Sequence, residues 1–118
     1  MGTPTTGTTA LSRITDPQVQ RFLGDKWETI AQHFQPLHLI LFGSRINGVP
    51  HLWSDIDLII VSARFEGMRF IKRSYYFKTV VQPDVGVTAL CYTPAEFERA
   101  RCGIGVVADA CREGCWRD

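Results

Sequence analysis

Hydrophobic and polar positions along the chain fall into blocks of two periods, and each block predicts one element. Val19, Phe22, Leu23, Trp27, Ile30, Ala31 and Phe34 recur at helical spacing, which predicts an amphipathic helix. Asp16-Pro17 supplies an N-cap carboxylate and a proline at the first helical position, and Pro36 bars continuation. Leu37 to Phe42 and Ile56 to Val61 are apolar at nearly every position, as expected of strands covered on both faces. Asn47-Gly48 and Val49-Pro50 mark a loop between them. Phe65 to Val81 carries Phe65, Met68, Ile71, Tyr75 and Val80 near helical spacing, predicting a helix that Pro83 stops. Asp84 to Cys91 reads as a third strand. Thr93-Pro94-Ala95-Glu96 then forms a capping box, opening a helix that breaks at Gly103. Ile104, Val107, Ala108 and Cys111 predict a last short helix closed by Gly114, with Trp116 left to cover a sheet edge or a partner. The sum is an α+β fold, a small mixed sheet of three to four strands flanked by helices.

Residues 1–15 are expected to be a disordered leader, being rich in Thr and Gly near the start, and residues 16–118 a single domain. At 118 residues and 45% hydrophobic, the chain has apolar material for one core and no second domain. A net charge of +1 gives no global field for nucleic acid, so such a partner would need a local basic face. Cys91, Cys102, Cys111 and Cys115 match neither a zinc ribbon nor a secreted disulfide framework. With no signal peptide, reduced thiols and a cytoplasmic location are expected. The apolar runs are strand-sized, too short to span a membrane.

The candidate chemistry sits where the first strand stops. Gly43 lets the backbone turn tightly and approach a ligand without an intervening Cβ. A helix starting at Ser44 or Arg45 would aim free N–H groups at a phosphate, and Arg45 would add a positive charge. Asp55 and Asp57, two apart on a strand, leave the same face. Paired carboxylates repel, and a divalent cation relieves them. This layout suits a nucleoside triphosphate with magnesium.

Gly43-Ser44-Arg45 followed by Ser54-Asp55-Ile56-Asp57-Leu58 resembles the signature of the nucleotidyltransferase superfamily that includes DNA polymerase beta, poly(A) polymerases and kanamycin nucleotidyltransferase. The chain is most similar to the minimal, single-domain members. Segments from Cys91 and from Gly103 resemble the C-terminal part of that family. The resemblance implies two magnesium ions bridged by Asp55 and Asp57, with Asp84 on the catalytic ion. It implies ATP or another nucleoside triphosphate as substrate, with Gly43, Ser44 and Arg45 on its phosphates. Gly86, on the same face as Asp84 in a third strand, would leave space for the acceptor. It further implies transfer of AMP to a hydroxyl, with a small helical HEPN-type toxin offering a tyrosine and this chain acting as antitoxin. Ile46-Asn47 departs from the Ala-Arg of many relatives, removing one positive charge from the phosphate loop.

Two rival readings remain at this stage. One is a module that binds a nucleotide or masks a partner without transfer. The other is RNA-end modification, for which Arg69, Lys72, Arg73 and Lys78 would be the basic face; a solvated helix surface is the plainer reading of those four. Ser54 reads as a turn or cap residue, and His33, His38 and His51 are assigned to no metal. Base preference and self-association are open.

Overall fold

The computed structural model of the chain describes residues 14–47 and 55–117. Helix α1 (Pro17–Phe34) starts as its sequence dictates: Asp16 Oδ1 accepts the backbone N–H of Gln18 at 2.9 Å and of Val19 at 3.2 Å. Gln35 closes it in a left-handed conformation. Strand β1 (His38–Phe42) leads into α2 (Ser44–Asn47), a single turn. Strand β2 (Ile56–Val61) runs into a 3-10 turn at Ala63–Phe65, then α3 (Phe70–Val81). Strand β3 (Val87–Tyr92), α4 (Pro94–Arg101), α5 (Val106–Glu113) and β4 (Cys115–Arg117) complete the described chain.

The four strands lie in the order β3-β2-β1-β4. β1 runs antiparallel to β2 and β4, and β2 runs parallel to β3. The sheet is therefore mixed, as expected, and the fold is α+β. Each face has its own core. Leu39, Leu41, Leu58, Ile60 and Ala89 meet α1 and α3 through Phe22, Ile30, Phe34 and Phe77. Ile40, Ile59 and Val61 meet α4 and α5 through Phe97, Val107 and Ala110. Burying both faces explains why these strands carry no polar alternation.

Several expectations need correction. The helix expected from Phe65 begins at Phe70, because the chain turns over Glu66-Gly67 and Arg69 is extended (ψ 138°). The third strand begins at Val87 rather than Asp84, after a bend at Asp84-Val85. Ile104 lies outside the last helix and is fully exposed, whereas Val107 and Ala108 are buried. Trp116 is part of an edge strand absent from the sequence reading, its indole N–H donating to Cys111 O at 3.2 Å. Of the expected leader, residues 1–13 lie outside the described residues, and Ile14 is buried in the core. Cys91, Cys102 and Cys111 are free thiols, and burial pushes the Cys91 thiol up to about 12. Among the described residues no helix is long and apolar enough to cross a membrane.

Arg73, expected on a solvated basic face, is only 5% exposed. Its guanidinium donates to Met68 O, Cys91 O and both carboxylate oxygens of Glu96, tying α3 to β3 and α4. Glu96 also completes the expected capping box with Thr93. Hydrogen bonding from Arg73 holds the Glu96 carboxyl down at about 2, against an ordinary 4.5. That contribution to stability is present above 4.5 and is lost as pH falls through about 2. Glu96→Gln, which leaves a buried cation short of its anion, should cost about 1–3 kcal/mol in urea denaturation at neutral pH. The gap between variant and wild type should narrow as pH falls from 4.5 towards 2.

Candidate active site

One end of the sheet gathers the motif. β1 finishes there while β2 and β3 begin, because β1 is antiparallel to β2 and β3 is parallel to it. The register sets Phe42 beside Asp57, and Asp57 beside Thr88, on the face that α4 and α5 cover. Ile56 N–H donates to Gly86 O at 2.9 Å, which brings Asp55 alongside Gly86. Thr88 Oγ1 donates to Asp55 Oδ2 across a long 3.4 Å bond.

Each aspartate is pressed against a glycine. A Cβ on Gly43 would lie 2.2 Å from Asp57 Oδ2 and 3.2 Å from Asp57 Cβ. Gly43 also has φ +87°, a conformation other residues reach only under strain. The two halves of the motif thus meet directly: the bend is glycine because the carboxylate occupies the space of its side chain. A Cβ on Gly86 would lie 2.2 Å from Asp55 Oδ1, so this glycine makes room for Asp55. Burial, and then the Asp55 charge, push the Asp57 carboxyl above its ordinary value. A pair of acids held this way on one face fits a divalent cation.

Other expected ligands are placed elsewhere. Arg45, with a side chain only 11% exposed, puts Nη1 within 2.9 Å of Asp16 Oδ2 and 3.2 Å of Asp16 Oδ1. It fastens the bend to the capped start of α1. Asp84 is 57% exposed and lies 3.5 Å from Arg21, on the helix that covers the opposite face. It does not join Asp55 and Asp57, because the strand that would have aimed it starts three residues later, at Val87. Among the described residues no three His, Cys, Asp or Glu side chains are grouped to hold a metal ion. The trio on which two magnesium ions were expected is not assembled there. Ser54 lies outside the described residues.

Ser44 opens α2 and lines a cleft of about 390 Å³ between the bend and α5. Val106 and Ala110 give the cleft apolar wall; Asp109 and Glu113 give it acidic groups. Sequence reading missed Thr88, Asp109 and Glu113 as neighbours of the site. Nothing local marks them, since they arrive through strand register and the packing of α5 over β1.

Gly43→Ala should cost about 1–3 kcal/mol, from left-handed strain and displacement of Asp57. Gly86→Ala should cost less, since its backbone is outside the left-handed region and Asp55 is exposed. Urea denaturation of both variants checks the order. For Asp57 the raised carboxyl pKa means that its contribution is most favourable below the ordinary 3.8 and is lost as pH rises through the folded value. Asp57→Asn should therefore raise Tm by a few degrees at neutral pH without divalent cation, and the gain should fade as pH falls towards 3.8.

A family model described as a nucleotidyltransferase domain matches residues 23–104, from within α1 to just past α4. No curated protein matches the chain. Among solved structures, a candidate nucleotidyltransferase from Sulfolobus solfataricus is 25% identical over 84% of each chain, with a TM-score of 0.48. The BolA domain of SufE1 from Arabidopsis thaliana is 20% identical, covers 70% of this chain and 98% of its own, and has a TM-score of 0.51, a likeness of fold alone. The family match spans the Gly43 bend, the Asp55-Asp57 strand and β3 together, and on it the chain belongs to the nucleotidyltransferase domain family.

Proposed function

We propose that the chain transfers a nucleoside monophosphate, AMP from ATP, onto a hydroxyl acceptor, with magnesium held by Asp55 and Asp57. Membership of the family supports nucleotidyl transfer in general. The observation that carries the finer reading is the packing of the Asp57 carboxylate on the bare Cα of Gly43, beside Asp55. It makes the acidic pair and the bend one site.

When bound, magnesium neutralises phosphate charge and lowers the pKa of the attacking hydroxyl. The chain's own residues do the rest by position. Asp55 and Asp57 keep their carboxylates on one face, where a divalent cation would relieve the repulsion between them. Gly43 keeps the bend free of a side chain, and Ser44 offers a hydroxyl and a free backbone N–H to phosphate oxygens. Arg45 and Asp16 hold that bend still. Charge neutralisation and orientation are the main contributions available for in-line attack on a phosphate.

The acceptor in this reading is a tyrosine of a helical HEPN-type partner in the cytoplasm, which rests on the family resemblance. A second reading, binding of a nucleotide or masking of a partner without transfer, is favoured by one observation: Asp84 pairs with Arg21 and not with the other two acids. The RNA-end reading loses support because Arg73, one of its four basic residues, is taken up by Glu96.

The native protein with whatever it captures should be incubated with labelled ATP and magnesium, and the partner weighed intact. AMP transfer should add one nucleotide mass to a tyrosine. Asp57→Asn should reduce transfer by at least about 100-fold, the several kcal/mol that a metal supplies in phosphoryl chemistry. Silencing of the partner by Asp57→Asn with no added mass would instead establish the masking reading.

A further inference from the structure

Building on the proposal that Asp55 and Asp57 hold magnesium, the geometry points to a site for one divalent cation rather than two, with Thr88 standing where a third acid would have to be. Two ions about 3.5–4 Å apart need shared carboxylates between them and another to hold the second ion. The position able to supply it is fixed by register. Thr88 is the β3 residue paired with Asp57, it points to the same face, and its hydroxyl already reaches Asp55 Oδ2. A threonine hydroxyl brings no negative charge to offset a second cation.

Every other described acid near this end of the sheet is directed away or engaged. Asp84 lies in the bend before β3, exposed and 3.5 Å from Arg21 on α1. Asp16 is held by Arg45 while it caps α1. Asp109 pairs with Arg112 on α5. Glu113 lines the cleft with Ser44, but no group of three metal-binding side chains includes it. The two remaining carboxylates would balance the charge of one divalent ion, with nucleotide phosphates and water able to supply its other oxygens.

Manganese, with the non-transferable analogue α,β-methylene ATP, tests this by counting ions through electron paramagnetic resonance titration of the full chain. The wild type should bind one ion per chain, with no Mn–Mn coupling. Thr88→Asp should bind a second and show that coupling; Thr88 is exposed, so packing is not disturbed. Asp84→Asn should still bind one, and Asp57→Asn none. Two coupled ions in the wild type would overturn the inference while leaving the proposed site standing. Loss of an ion in Asp84→Asn would do the same, and so would a folded Thr88→Asp that stays at one. Full binding in Asp57→Asn, or no binding in the wild type, would sink this inference and the proposed function together. Should Thr88→Asp not fold, the counts for the wild type and Asp84→Asn still decide.

Discussion

A carboxylate lying where a side chain would otherwise be is the constraint on which the rest of this molecule turns. Asp57 can rest on the Cα of Gly43 only if β1 ends one residue earlier and pairs in the register that sets Phe42 beside Asp57. A slip of one residue would send the acid to the opposite face, among Leu39, Leu41 and Phe22. Nothing there would stabilise it. The buried apolar rows on both faces hold that register, so the core and the acidic pair depend on one alignment.

The cost of crowding acids at a sheet end is visible in how the cations are used. Arg45 and Arg73 are the two most thoroughly buried cations described above, and each is committed to a scaffold acid, Asp16 or Glu96. Neither is left to neutralise Asp55 or Asp57. In both cases the guanidinium joins elements far apart in the chain: the bend to α1, and α3 to β3 and α4. Such pairs contribute more to holding a unique arrangement than to net stability, because desolvation offsets much of their attraction. The acidic pair is consequently left without a paired cation among these two, and Asp57 is pushed above its ordinary value by burial and then by its neighbour.

The parallel strand adds the second decision. β3 could have brought an acid to the pair at position 88 and brings a hydroxyl instead, while the acid at 84 falls in the bend before the strand and turns to α1. A few residues of strand boundary separate those two outcomes. Family membership speaks for nucleotidyl transfer, and this detail is the one from which the proposed single-ion site is argued. The cleft between Ser44 and α5, with apolar wall and acidic groups, lies next to the same bend.

What the sequence by itself determined was everything that local chemistry encodes. The N-cap at Asp16, the capping box at Thr93 and Glu96, the apolar run of Ile56 to Val61, the helical stripe through Phe22 and Ile30, and the Gly-Ser bend facing Asp-X-Asp were all legible. Each depends on residues a few positions apart, and period or capping geometry carries that information. Tertiary structure alone decided the partners of Arg45, Arg73 and Asp84, the edge strand at Trp116, and the arrival of Thr88 beside the acids. Those outcomes depend on which distant segments pair and in what register. A charged residue reads the same in sequence whether it meets a phosphate, an opposite charge or water; the packing of the two cores chooses among them.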